Sequence, residues 1–444
     1  MIGVTIACSI NRFTTRFARG TEAQRMPFRC ENVAGIMGAG TPAPIIPATP
    51  LGEIQRERGG DSSIWSSRCL GVSSEAGGES SVEGLFKRRC TNEAPHGVGS
   101  ARILIVGVSW LGDGIMAMPA LAALRKRLPG AHITMLAKPS VAALWSIFPG
   151  VDEVILLKKG FSGMRDTIRA VRKGGFDFAY ILPKSFRSAW IPFLAGIPGR
   201  RGLSGNGRGW MLTETAMLSE SAVCGHQSLE IADVLQLPHG DLESPPFLVV
   251  PDEIRDRVWK RVNAFQGGAG AGKLIAFFPG AAHGPSKRWP VGNFAAAGRR
   301  LVSESGCCVL ILGSRGDKSV CDEVAAGIRE GAVNLAGETD FLELISLISL
   351  CRCVVANDSG GMHLAAGLGV PVIGLFGLTD PSKTAPVGTR CKLLCAEGVC
   401  RSRDIDPDSP EARSAIASIP VDAVLNALTA TPEWSSTAGS GSGQ

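Results

Sequence analysis

From residue 101 onward the chain repeats one pattern: a short, wholly apolar run, a polar turn, then a stretch with helical spacing. Residues 102–108 have the length of a buried parallel strand. The turn Gly112-Asp113-Gly114 follows, then helical spacing over about 115–128, then the apolar "HITMLA". That order predicts a βαβ unit. Further strands are predicted at "EVILL" and "FAYIL". The helical "PDEIRDRVWKRVNAFQ" and the glycine-rich "GGAGAG" interrupt the pattern. A second series then runs through "KLIAFFPGAA", "CCVLILGSRGD", "CVVANDSGG" and "VPVIGLFG". Strands alternating with helices predict parallel sheets covered on both faces, with ligands at the carboxyl ends of the strands. The expected division is a leader over 1–100, one α/β half over 101–250, a connecting region over 251–272, a second half over 273–430, and a tail over 431–444.

Composition changes this picture only at the ends. The chain has 444 residues and is 45% hydrophobic, enough to build two cores. Before residue 101 the sequence turns to segments such as "AGTPAPIIPATP" and "GGDSSIWSSRCLGVSSEAGGESSVEG", with no sustained period, so disorder is expected there. The opening twenty residues hold three Arg, and no acid occurs before Glu22, a faint targeting pattern beside the plainer reading of a functionless leader. A net charge of +6 is too mild to call for nucleic acid by itself. Thirteen cysteines, odd in number and without framework spacing, read as free thiols in a reducing compartment. No apolar run reaches the length of a membrane span.

Two familiar phosphate motifs fail. "GGAGAGK" resembles part of a P-loop, but Leu274 stands where Ser or Thr should hold Mg²⁺, and the glycines precede a strand instead of following one. "GVSWLGDG" lacks G-x-G-x-x-G spacing, which removes the main support for dinucleotide binding.

Four polar turns at strand ends carry candidate chemistry. Asp113, between Gly112 and Gly114, suits either a proton acceptor or an ordinary helix N-cap. In "FPGAAHGPSKRWP", Gly280, Ala281 and Ala282 allow backbone amides to approach a phosphate, and Lys287 adds a mobile positive charge. A solvated basic loop would read the same way. Asp358, Ser359, Gly360 and Gly361 end an apolar strand and open a small-residue helix, whose amides and dipole favour an anion. His363, one turn in, fits either a ligand contact or a core histidine. Asp358 should repel phosphate, so its candidate tasks are holding the loop, a sugar hydroxyl or a metal. Thr379, Asp380 and Pro381 read as an Asx-capped turn. Cys391, Cys395 and Cys400 lack zinc-site spacing and read as structural thiols.

Several long motifs occur together and in order: the stretch from "GDGIMAMPALAALRKRLPG" to "FPGVDEVI", then "LPKSFRSAWIPFLAGIPGRRG", "PGAAHGPSKRWP" and "NDSGGMHLAAGLGVPVIGLFGLTDPSKTAPVG". Over roughly residues 101–428 the chain resembles the lipopolysaccharide heptosyltransferases of glycosyltransferase family 9, of the heptosyltransferase II type. The resemblance implies a GT-B architecture, two Rossmann-like domains with parallel sheets facing across a cleft. It implies transfer of heptose, with inversion, from ADP-L-glycero-D-manno-heptose to the inner core of a lipid A-linked oligosaccharide. In that resemblance Asp113 matches the general base and Lys287 the lysine that meets the donor diphosphate. Asp358, Ser359, Gly360, Gly361 and His363 match the donor-binding turn, and Asp317 lies where nucleoside contacts are expected. Gly112, Ser185 and Arg187 fall on the acceptor side. No cofactor is obligatory, and a divalent metal is compatible but not implied. The implied partners are the nucleotide-sugar donor, the lipid-linked acceptor and the cytoplasmic face of the inner membrane, with no nucleic acid. Arg187, Arg200, Arg201 and Arg208 are expected to meet anionic lipid. Lys184 stands where Asn is more usual, Asp406-Pro407 where Cys-Pro is common, and the leader is unlike the family. Alternatives are a related transferase with another nucleotide sugar and acceptor, an epimerase of similar fold, or a noncatalytic sugar-nucleotide binder.

Overall fold

The structure is a computed structural model that describes residues 101–265, 274–282, 284–401, 406 and 408–435. The expected leader, the "GGAGAG" loop and the end of the tail lie outside the described residues.

The first half runs β1 (Arg102–Val106), α1 (Leu111–Arg127), β2 (His132–Ala137), α2 (Pro139–Ser146), β3 (Glu153–Leu156), α3 (Gly160–Lys173), β4 (Phe178–Ile181), α4 (Phe186–Ala195), β5 (Gly199–Leu203), β6 (Glu214–Ala216), α5 (Glu220–Cys224) and α6 (Gln227–Leu235). After α7 (Asp252–Phe265), the second half runs β7 (Leu274–Phe278), α8 (Val291–Ser305), β8 (Cys308–Ile311), α9 (Lys318–Ile328), β9 (Ala332–Asn334), α10 (Phe341–Ser349), β10 (Cys353–Asn357), α11 (Gly360–Gly367), β11 (Val372–Phe376), α12 (Pro381–Thr384), β12 (Cys391–Cys395), α13 (Pro410–Ala417), α14 (Val421–Thr429) and α15 (Pro432–Ser435).

Each half folds into a six-stranded sheet of parallel pairs, in the orders β3-β2-β1-β4-β5-β6 and β12-β11-β10-β7-β8-β9. Both orders reverse direction between the first and fourth strands, and a crevice opens outside the strand ends at such a reversal. The central strands are largely apolar because both faces are covered: β7 and β10 are buried at every position.

The halves share one apolar core. Ile115 of α1 and Met362 of α11 belong to the same buried cluster, and Phe247 N–H donates to Gly367 O at 2.8 Å. In the connecting region α7 packs on α10, where Arg257 and Arg261 reach Glu343 at 3.6 and 3.9 Å.

One element departs from the sequence reading. The helix expected from about residue 115 begins at Leu111, so Gly112-Asp113-Gly114 is its first turn and not a loop. The N-cap is Trp110, which makes no side-chain capping bond, and the N-cap reading of Asp113 is therefore incorrect. Glycine's poor helix propensity is outweighed here by packing: a Cβ on Gly112 would stand 2.8 Å from the His363 ring, so only glycine lets the two helices approach this closely.

Candidate active site

The chemistry-bearing residues gather at the two reversal points. In the first half, Asp113 follows β1 and Lys184 follows β4. Both line a cavity of about 310 Å³ with Ser109, Trp110, Gln227 and Glu230. Asp113 is half-buried in the first turn of α1, the end of a helix where the dipole favours negative charge. Lys184 Nζ donates to Glu230 Oε2 at 2.7 Å, so the unusual lysine forms one wall as an ion pair. Ser185 caps α4, its Oγ accepting from Ser188 N–H at 3.3 Å. Arg187 is exposed on the first turn of that helix.

The arginines expected to meet lipid do not all reach the surface. Arg208 is fully buried, and its guanidinium donates to Leu203 O at 2.8 Å, Ser185 O at 3.1 Å and Ser188 Oγ at 3.0 Å, as well as to Pro183 O. Arg200 donates to Met211 O at 2.6 Å. Arg201 donates to Val234 O at 3.0 Å and faces Glu214 at 3.8 Å. Burial pushes the pKa of Arg201 and Arg208 downward. Of the four, Arg187 alone is exposed; the others are held by backbone carbonyls.

In the second half, β7 runs into Gly280, Ala281 and Ala282. A Cβ on Gly280 would fall 2.2 Å from the Asp317 carboxyl, so glycine is required for the loops after β7 and β8 to meet. Asp317 accepts from Ser314 Oγ at 2.6 Å and Ser314 N–H at 3.1 Å, and it lies 3.8 Å from Arg288. Lys287, on a short 3₁₀ turn, donates to Asp358 Oδ2 at 2.6 Å; the two side chains are 15% and 8% exposed. Asp358 thus faces a cation across the site, and no metal is needed to explain its charge.

Ser359, two residues after the end of β10, is the N-cap of α11 but makes no side-chain capping bond, so the first amides of the helix take no partner from it. His363 is buried, and its Nδ1 has no hydrogen-bond partner. Burial lowers its pKa to about 4, against the opposing pull of Asp358. The ring is therefore neutral at pH 7 and packs on Gly112 of the first half.

Two residues were missed by the sequence reading. Asn357, fully buried, donates from Nδ2 to Pro279 O at 2.8 Å and accepts at Oδ1 from Trp289 N–H at 3.0 Å. It stitches the end of β10 to the loop that carries Lys287. The signal was an amide closing an otherwise apolar strand. His226 caps α6, with Nδ1 accepting from Ser228 N–H at 3.2 Å, so Nε2 carries the proton donated to Ala385 O at 2.8 Å. That bond crosses from one half to the other, and burial lowers the pKa of His226 as well.

The fourth turn is structural: Asp380 caps α12, accepting from Ser382 N–H at 3.0 Å. Cys391, Cys395 and Cys400 are free thiols. Among the described residues no group of three or more His, Cys, Asp or Glu side chains is placed to hold a metal ion.

Two doubly wound halves with their loops converging from facing reversal points define the GT-B class of glycosyltransferases. Residues 164–408 match the family model Glycosyltransferase family 9 (heptosyltransferase), and the chain belongs to that family. It is 32% identical to lipopolysaccharide heptosyltransferase 2 of Escherichia coli K12, over 66% of this chain and 87% of that one. It is 31% identical to lipooligosaccharide heptosyltransferase 2 of Haemophilus ducreyi, over 66% and 88%. The structure of E. coli ADP-heptose LPS heptosyltransferase II superposes with a TM-score of 0.64 at 29% identity, covering 74% of this chain and 98% of that one. A family 9 glycosyltransferase from Veillonella parvula, 22% identical, shares the fold with a TM-score of 0.64, over 74% and 95%.

Proposed function

We propose that this glycosyltransferase moves L-glycero-D-manno-heptose from its ADP donor to the inner core of a lipid A-linked oligosaccharide, with inversion. The half over 101–250 receives the acceptor and the half over 273–430 the donor. The work is done at the cytoplasmic face of the inner membrane.

The observation that carries the reading is the packing of α1 on α11. It brings the helix bearing Asp113 against the helix whose amino end, with Ser359, Gly360 and Gly361, suits a diphosphate. The acceptor hydroxyl gives its proton to the Asp113 carboxylate while its oxygen bonds to the anomeric carbon. The bond from that carbon to the diphosphate breaks on the opposite face, and ADP departs with the electron pair. Lys287, drawn from Asp358 onto the diphosphate, and the amides of α11 meet the charge that grows there. Gly280, Ala281 and Ala282 keep the approach clear, Asp317 borders the nucleoside, and Ser185 and Arg187 border the acceptor. His363, neutral and apart from the chemistry, fixes the spacing of the two helices.

Asp113→Asn tests this. The amide keeps the volume but takes no proton, so turnover falls about 10²–10⁴-fold. ADP-heptose affinity and melting temperature should stay near wild type, apart from about 0.3–1 kcal/mol of lost helix-end charge. Turnover within a factor of a few of wild type would rule Asp113 out as the base.

A further inference from the structure

Between residues 158 and 187 the sequence holds eight lysines and arginines against two aspartates, an excess of six that equals the net charge of the whole chain. All eight cations are exposed; Lys184 is paired with Glu230 at the cavity wall, which leaves the other seven to the outer surface. They belong to α3, its approach and the start of α4, which pack side by side on the face of the first sheet opposite α1 and α6. Asp166, between Lys158 at 3.7 Å and Arg169 at 3.6 Å, offsets one of these charges and is already counted in the excess.

The same layer carries exposed aromatic rings, Phe161, Phe186 and Trp210, beside Trp190 and Phe193, which pack on the buried cluster beneath. Phe161, at the start of α3, is 83% exposed and Trp210 is 60% exposed. Phe186 stacks on Trp190 with ring centroids 5.5 Å apart, and Phe193 meets Trp210 edge-on at 5.1 Å. Indole rings beside an excess of cations are the chemistry of a membrane–water interface, where the ring sits among headgroups and the cations meet lipid phosphate. A second copy of this chain would bring like charges together.

We infer that the α3–α4 layer is the surface on which this protein docks to an anionic bilayer. The inference rests on the lipid-linked acceptor proposed above and gives it a route. Phe186 follows Ser185 directly, and Pro183 and Lys184 are walls of the Asp113 cavity, so the docked face leads within a few residues to the acceptor side.

The test uses the full chain, vesicles of phosphatidylcholine with or without phosphatidylglycerol, and the variants Arg165→Glu/Arg169→Glu and Phe161→Ala/Trp210→Ala. Wild type should sediment with the anionic vesicles only, with a blue shift in tryptophan emission, and salt should release it. The charge variant should lower the partition coefficient at least about tenfold, and the aromatic variant should abolish the blue shift. Both should keep wild-type melting temperatures and wild-type turnover on a water-soluble, delipidated acceptor. Equal binding to both vesicles, or variants that bind like wild type, overturns the inference. A concentration-dependent dimer lost in the aromatic variant overturns it in favour of self-association. Vesicle binding as expected from a wild type that does not consume ADP-heptose would remove the proposed function and leave the docking surface standing.

Discussion

Replacing Asp358 by asparagine leaves the Lys287 ammonium without its counter-charge in a place where only 15% of the lysine side chain meets water. Removing one member of a buried pair typically costs roughly 3–5 kcal/mol, because the remaining charge is not compensated. The residual exposure of Lys287 lets its Nζ reach solvent, which brings the expected loss to about 2–4 kcal/mol. Ligand binding should move the other way. In the proposed site a diphosphate would take Lys287 from Asp358 and accept that carboxylate as a neighbour; in the variant it would meet an unpaired cation. ADP affinity is therefore expected to rise about 5–30-fold, equivalent to roughly 1–2 kcal/mol. Lys287→Ala should instead weaken ADP by roughly 1.5–3 kcal/mol, the worth of a charge-assisted contact. The double variant should resemble Lys287→Ala, since Asp358 acts through the lysine. Calorimetric titration with ADP and thermal unfolding of the four proteins complete the cycle. A fall in ADP affinity in Asp358→Asn would refute the reasoning and make the carboxylate a direct donor contact.

Stability should fall on acidification through His363. Its folded pKa of about 4 lies below the value near 6.5 of an unfolded histidine, so the unfolded chain binds the extra proton first. The stabilisation is complete above about pH 6.5 and is lost towards pH 4, up to about 3 kcal/mol; chemical denaturation across that range should show a shallower loss in His363→Gln. Arg208→Met removes the guanidinium donor from Leu203 O and one of the donors from Pro183 O and Ser185 O, which keep their bonds from Ser188, and this predicts a loss of about 1–3 kcal/mol in denaturant titrations. Because Pro183 also lines the Asp113 cavity, KM for the acceptor should rise more than KM for the donor.

The central strands were legible because their two covered faces force unbroken apolar runs, as in β1, β7, β10 and β11. The strands read poorly were those away from the centre. In β5, "GRRGL", two arginines are satisfied by backbone carbonyls at Met211 and at the end of α6, a pairing between separated segments that no local pattern encodes. The glycines of α1 looked like a loop because the reason for them, the His363 ring, lies about 250 residues away in sequence. The candidate site was legible as a set of turns, since a polar burst after a buried strand has few structural explanations. Its internal bookkeeping was not. Asp358 looked misplaced beside a diphosphate until its pairing with Lys287 was seen, and Asn357 passed as part of the strand.

The seam where Gly112 lies on His363 and Leu111 on Gly360 sits next to Asp113 and at the start of α11. It works like the fulcrum of pliers set close to the jaws. A few degrees of rotation about it would widen the far side of the crevice, open to the acceptor proposed above, while hardly changing the separation of Asp113 from the start of α11. Admission of substrates and alignment for the displacement are then governed by different parts of the molecule. A bulkier residue at 112 would act as a shim at the fulcrum, pushing the helix that carries Asp113 away from His363.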